Sequence, residues 1–246
     1  EIANWPDDWN AIREYRTLPY TLKTRGYQTS LIGKWHLGQP RPPGEWFDYW
    51  VTFNLGHTVD FWDNEINDNA RKYKLEGKHS VDFFSDKAVK YLQDYDHQKP
   101  FFLMVTYNGP YMNPPTNLGA AKNRHYLSYE NKEFPSFPRN RVNETVLEEA
   151  MVPDPEEWYL NLARMHNDPK TMANVASQNT MVDDGVGRLL QALEDNDLTE
   201  NTLVIYTSDQ GNFFGQHGLW GHTDFSFPAS MYETAMNIPM IVHYPG

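Results

Sequence analysis

A lysine and a histidine two residues apart, Lys34 and His36, stand in the run Gly33-Lys34-Trp35-His36-Leu37-Gly38, directly after a strand-like segment. In extended backbone, residues two apart face the same side, so an ammonium and an imidazole converge on one small ligand while Trp35 turns away into packing. A cation beside an imidazole suits a compact oxyanion. A surface lysine next to a hydrogen-bonded loop histidine is the alternative for a bare K-x-H; the flanking glycines and the strand-to-loop position put the two readings on equal footing.

A second constellation is Thr207-Ser208-Asp209-Gln210-Gly211-Asn212, at the end of another apolar segment. Ligands of open α/β sheets bind outside the carboxyl ends of strands, which is where Asp209 falls. A carboxylate next to the Gln210 amide oxygen, followed by a glycine that permits a sharp turn, offers two adjacent hard-oxygen ligands for Ca²⁺ or Mg²⁺. An inert Asp-Gln-Gly turn has the same letters. Then comes Gly215-Gln216-His217-Gly218-Leu219-Trp220-Gly221-His222, where His222 can act as general acid or anion ligand, or be an ordinary loop histidine. Asp183-Asp184 lies inside a helical pattern with apolar residues on either side, and reads as a solvated face or a helix-packing hydrogen bond rather than a metal site.

The elements that must position these groups are visible as pattern. Gln28 to Ile32, Phe101 to Tyr107, Thr202 to Thr207 and Ile238 to His243 read as buried strands. The second and third are continuously apolar, as expected when helices cover both faces of a sheet. Helical spacing marks Trp9 to Thr24, Val81 to Tyr95 and Thr171 to Glu194, with Ser80 placed to cap the second and Asp197 with Asn201 supplying a turn after the third. Strands alternating with helices predict an α/β fold, a sheet sandwiched between helices. Lys34, His36 and Asp209 are then expected on one edge of it. The proline-rich span 109–155 has little periodicity and is expected to form an irregular rim or insertion rather than a separate domain.

Composition narrows the function classes. The 246 residues suit one large domain or two small ones. Without cysteine there is no disulfide, thiolate zinc site or cysteine nucleophile in this stretch. Thirty-three Asp and Glu against 21 Lys and Arg give a net charge of −12 with no basic stripe, which argues against nucleic acid as a partner. No apolar run approaches the roughly 20 residues of a membrane span.

Taken together, GYQTSLIGKWHLG, FFLMVTYNGPYMNPP, VDDGVGRLLQALEDNDLTENTLVIYTSDQGNFFGQHGLWG and MYETAMNIPMIVHYPG occur in the order and approximate spacing of the type I sulfatases, and the chain resembles that branch of the alkaline phosphatase superfamily over nearly its whole length outside the proline-rich middle. The resemblance implies sulfate-ester hydrolysis by a formylglycine nucleophile, matured by a dedicated enzyme from a C/S-x-P-x-R motif and held beside a divalent cation, usually Ca²⁺. Lys34 would bind the sulfate and the nucleophile's oxygen, and His36 would hydrogen-bond the formylglycine hydrate. Asp209 would ligate the metal, with Gln210 where Asn or His is more usual. Asn108, Tyr111 and His222 would contact sulfate or leaving group. Here the sequence departs from the family: Asn108-Gly109-Pro110-Tyr111 replaces N-A-P-H, and His222 stands near the place of a lysine, so neither Tyr111 nor His222 brings a fixed positive charge.

Neither C/S-x-P-x-R nor the acidic pair of the family's first strand occurs in the chain. The resemblance therefore implies an internal part of a sulfatase catalytic domain, incomplete at both ends, whose nucleophile and remaining metal ligands lie upstream of Glu1. A periplasmic or secreted location goes with such an enzyme. A phosphate mono- or diester hydrolase of the same superfamily and a non-catalytic binding relative are the competing readings. Trp46, Trp50, Trp62 and Tyr126, expected in loops, would suit stacking on the sugar of a glycan sulfate.

Overall fold

The computed structural model describes residues 14–38, 46–58, 60–111, 118, 122–222 and 231–245. The chain divides into two compact units, one of residues 1–109 with 182–197, the other of 110–181 with 198–246. The expected helix from Trp9 is described only from Glu14 onward, and is helical over Leu18–Thr24.

The first unit is built on a five-stranded sheet. In chain order it comprises α1 (Leu18–Thr24), β1 (Gln28–Gly33), β2 (Tyr49–Phe53), β3 (Glu65–Asp68), β4 (Arg71–Lys74), α2 (Ser80–Gln93) and β5 (Phe101–Thr106). The strand order is β4-β3-β2-β1-β5. β1 lies parallel to both β2 and β5, whereas β3 and β4 return antiparallel. β1 is central, and the alternation along it supplies both faces. Ile32 packs with Val51, Phe53 and Ile66 against Phe83, Phe84 and Ala88 of α2. Leu31, one residue back, joins Trp35, Trp46, Phe47 and Trp50 on the opposite face. α2 exists because Val81, Phe84, Ala88 and Leu92 recur at helical spacing and are all buried. Burying a side chain the size of Phe84 stabilises by roughly 2 kcal/mol.

Two expectations are corrected here. Ser80 does not cap α2; His79 does, its Nδ1 accepting from the Val81 N–H, while the Ser80 hydroxyl is directed elsewhere. β5 is not covered on both faces but half-buried: Leu103 and Val105 pack on the cluster that α2 covers, whereas Met104, which alternates to the other face, is exposed.

The second unit contains α3 (Glu144–Ala150), α4 (Glu157–Met165), β6 (Val204–Thr207), β7 (Phe213–Phe214), β8 (Trp220–Gly221), α6 (Glu233–Met236) and β9 (Met240–His243). A 27-residue helix, α5 (Pro169–Asp195), contributes its first turns to this unit and its stretch from Val182 to the first. Its start follows local rules: Pro169 opens it, and the Asp168 carboxylate accepts from the Thr171 N–H at 2.7 Å. The core of the second unit gathers Val146, Leu162, Met165, Met172, Val175, Phe213, Leu219 and Trp220. Phe134, Phe137 and Val142 of the proline-rich span pack on that same core. Among its described residues the span carries a 3₁₀ turn at Tyr126–Ser128 and α3. β6 and β9 pair antiparallel, and contrary to expectation both are largely exposed.

Two contacts fix where β1 begins and ends. At its start, the Asp48 carboxylate accepts from the Thr29 N–H at 2.9 Å, the Thr29 hydroxyl at 3.2 Å and the Lys23 ammonium at 2.7 Å. Burial alone would raise its pKa, but these donors outweigh burial and hold it below the usual carboxylate value. At its end, Gly33 has φ +129, and a Cβ there would lie 1.9 Å from the Thr106 carbonyl oxygen. The Lys34 N–H donates to that same oxygen at 2.7 Å, and the Thr106 hydroxyl donates to the Lys34 carbonyl at 2.7 Å.

Replacement Gly33→Ala is expected to destabilise the full-length protein by at least about 2 kcal/mol in urea unfolding, from positive-φ strain plus an unavoidable backbone collision. Asp48→Asn is expected to cost about 1 kcal/mol at neutral pH, the scale of a part-exposed charge-assisted contact. A depressed carboxylate contributes stability above its unfolded pKa and loses it as pH falls through the folded value. The gap between wild type and Asp48→Asn should therefore close below the ordinary carboxylate range, and a gap independent of pH would refute this account.

Candidate active site

Lys34 and His36 leave the end of β1 as the spacing predicts. Trp35 is 5% exposed and packs edge-on against Trp50 at 5.0 Å and Phe47 at 6.3 Å. Lys34 is half-buried and His36 exposed. Anchoring the middle residue by its ring, and Lys34 by the two backbone contacts to Thr106, aims the flanking side chains away from the tryptophan cluster. His36 meets a residue that the sequence reading did not single out: its imidazole is stacked on that of His57, with centroids 4.9 Å apart and planes within 5°. Gly56 before it, in a turn after a strand, was the one local signal.

Asn108 follows β5 in the first unit and is 4% exposed. Its Oδ1 accepts from the Ser80 hydroxyl at 2.8 Å, and its Nδ2 donates to the Asp60 carbonyl at 3.1 Å. The amide thus ties the loop before β3 to the first turn of α2, and the Ser80 N–H donation to Phe61 O at 2.8 Å reinforces the tie. Beside it, burial raises the Tyr107 pKa, with the Ser85 hydroxyl and Arg188 opposing, so the phenol stays a neutral partner of Ser85 at 2.8 Å.

In the second unit Asp209 and Gln210 stand at the end of β6, Asp209 exposed and Gln210 half-buried. The Ser208 hydroxyl shapes the turn, donating to the Gln210 carbonyl at 2.8 Å. Gly211 is required by closeness: a Cβ would lie 2.2 Å from the Thr234 carbonyl, and its N–H donates to Ala235 O at 2.9 Å. The donor chemistry of Asp209 and Gln210 fits a hard cation, as two of the six to eight oxygens that Ca²⁺ takes. Among the described residues no group of three or more His, Asp or Glu side chains is arranged to hold a metal.

The Gly-rich loop after it is clamped to the proline-rich span, with the Asn143 N–H donating to Gly218 O at 3.0 Å and Asn143 Nδ2 to His217 O at 3.3 Å. His217 has φ 56 and stacks on Tyr232 at 3.8 Å. His222 is 7% exposed, and its ring lies 5.8 Å from that of Tyr111. Tyr111 and His222, two of the positions at which this sequence departs from the pattern it resembles, are therefore neighbours in space.

Asp183 and Asp184 lie in α5, the first exposed and the second half-buried. Three of the four aromatics considered for sugar stacking belong to the interior instead: Trp46, Trp50 and Tyr126 are 4%, 1% and 3% exposed. They were expected in loops because the short strand carrying Trp50 has no clean alternation to reveal it.

Comparison with known proteins identifies the family. Residues 2–246 match the sulfatase family. The chain is similar to N-acetylglucosamine-6-O-sulfatase of Bacteroides thetaiotaomicron, 28% identical with 94% of this chain and 49% of that protein covered. It is likewise similar to N-acetylglucosamine-6-sulfatase of Capra hircus, 27% identical with 97% and 42% covered. Its fold matches a solved complex with the substrate D-glucosamine-2-N,6-O-disulfate, at a TM-score of 0.62 and 22% identity over 98% of this chain and 57% of that one. The chain spans about half the length of the curated relatives it matches. With the family match running from residue 2 to residue 246, and the α/β fold shared with solved relatives, the chain belongs to the sulfatase family.

Proposed function

We propose that the protein hydrolyses a carbohydrate sulfate ester, and that these residues supply its anion-binding lysine and histidine and part of its cation site. The observation that carries the reading is the Lys34–His36 pair, locked at the end of a central strand by Gly33 and Thr106 in a chain matched throughout to sulfatases. Lys34 and His36 are proposed to bind the sulfate, and Asp209 with Gln210 to ligate the cation. The amino-sugar sulfates named for relatives make a sulfated aminosugar the substrate class to test first. A periplasmic or extracellular location belongs to the same proposal; among the described residues no helix is long and apolar enough to cross a membrane.

In this mechanism Lys34 holds a sulfate oxygen and offsets negative charge as it spreads over the sulfuryl group, a contribution that grows toward the transition state. His36 orients the attacking hydroxyl through a ring-edge hydrogen bond. Asp209 and Gln210 would hold the cation, Ca²⁺ by preference, and it supplies further charge stabilisation when bound. The nucleophile is a formylglycine contributed from outside these 246 residues, and its maturation makes a formylglycine-generating enzyme an obligatory partner. Tyr111 and His222, adjacent and hydrogen-bond capable, serve the leaving-group oxygen. Asn108 acts from behind, keeping the loop before β3 in place.

The test is turnover of N-acetylglucosamine-6-sulfate and 4-nitrophenyl sulfate by the full-length, formylglycine-matured protein, with 4-nitrophenyl phosphate alongside. Sulfate hydrolysis abolished by chelation is the expected result. Faster phosphate hydrolysis would assign the chain to phosphoesterase chemistry, and metal-independent silence toward all three would mark a binding relative. Lys34→Ala and Asp209→Ala should each lower the rate at least about a hundredfold, the scale of losing one preorganised electrostatic contact. Gln210→Ala should instead weaken metal affinity and be partly restored by excess Ca²⁺, because the carboxylate charge survives. Unchanged rates in the Lys34 and Asp209 variants would overturn the site.

A further inference from the structure

We propose that His57 is a positioning residue for the His36 imidazole, acting through a flat ring stack rather than by touching substrate. The inference rests on the reading that His36 serves the sulfate site, and it adds a residue to that site from a part of the chain that carries no sulfatase motif.

Two independent constraints bring the rings together. The backbones are joined directly: the Trp35 N–H donates to the Gly56 carbonyl at 2.7 Å, one residue before each of the two histidines. The turn holding His57 is itself fixed, with the Gly56 N–H donating to Phe53 O at 2.8 Å and the Asn54 N–H to Glu65 O at 2.8 Å, which makes it an extension of the β2–β3 pairing. Trp35 is buried among Phe47 and Trp50, so the segment carrying His36 cannot swing away from that turn without uncovering the tryptophan. On this frame the imidazoles lie with centroids 4.9 Å apart and planes 5° from parallel, His57 half-buried and His36 exposed.

The geometry divides the work of the His36 ring. Stacking engages a face, whereas hydrogen bonding uses the ring nitrogens at the edge, so a stacked partner restrains the plane without consuming either nitrogen. An exposed histidine at a strand end otherwise samples several rotamers, and catalysis is sensitive to misplacement of a group by an ångström. A half-buried ring behind it selects one plane. The requirement placed on residue 57 is therefore a flat side chain, and not a proton.

The full-length, matured protein tests this with 4-nitrophenyl sulfate. His57→Ala is expected to lower kcat about tenfold with little change in KM, and His57→Phe, which keeps a flat partner, to recover most of the loss. In a His36→Ala background, His57→Ala should have no further effect, since it acts only through the ring that is gone. Equal activity of wild type and His57→Ala, a Phe variant as impaired as the Ala variant, or additive losses in the double variant would each overturn the inference. A wild-type protein without sulfatase turnover would count against the proposed function instead. In that event the His36 Hε1 resonance, assigned by its absence in His36→Ala, decides: a shift on His57→Ala supports the stack, and a resonance that stays in place refutes it.

Discussion

The collision that a single Cβ would make with the Thr106 carbonyl is the constraint on which the arrangement of the first unit's proposed anion site turns. Parallel strands sit about 4.8 Å apart, leaving no room for one backbone to lean into its neighbour. Here β1 does lean, at Gly33, and the reward is a pair of 2.7 Å hydrogen bonds that seize the next residue, Lys34, by both its N–H and its carbonyl. A flexible lysine is thus presented from a backbone with no slack. Every later contact inherits that precision: Trp35 finds its aromatic pocket, the Trp35 N–H reaches Gly56, and His36 meets His57.

Buried polar side chains around this point serve as braces. Ser80 and Asn108 are 0% and 4% exposed, and each uses its polar atoms on the loop of residues 60–64 or its neighbours. His79 caps a helix with one nitrogen while its ring lies against Phe61 at 5.1 Å. Burying such groups is costly unless they are paired, so a satisfied set favours one arrangement of the loop over its alternatives. Asp86 of α2 binds both Lys78 and Arg188 of α5, and Gly185 allows α5 to approach Ser85 and Tyr107 closely. The helix is thereby keyed to α2 by charge and shape together.

What could be read from the sequence was whatever has a period or a motif. β1, α2 and the long α5 announced themselves by apolar spacing, and Lys34 and His36 by alternation across Trp35. The β3–β4 hairpin did not, because DNEINDNARKYK is polar and its turn residues, Asn69 and Ala70 at φ 47 and 73, lack the glycine that usually marks such a turn. His57 was invisible for a different reason: its partner is far along the chain, and stacking leaves no trace in local pattern. Ser80 looked like a cap because it is a serine before an apolar run, yet the neighbouring imidazole took that place and freed the hydroxyl for Asn108. Trp46 and Trp50 suggested sugar stacking by type alone, and burial in the tryptophan cluster decided otherwise.

For the proposed cation site, the β6–β9 ribbon, apolar yet open to water along Ile205, Tyr206, Met240, Ile241 and Val242, would tie cation affinity to conformational order. Two strands alone hold their shape poorly in water. Asp209 and Gln210 hang from the end of this ribbon, so whatever fraction of molecules has it fully formed is the fraction in which both oxygens are preset. Reciprocity would then run both ways: covering the ribbon would raise the apparent affinity for an ion held there, and the ion would in turn stabilise the ribbon by mass action. The apparent dissociation constant of a cation at this proposed site would in this sense gauge how well an apolar surface several residues away is covered.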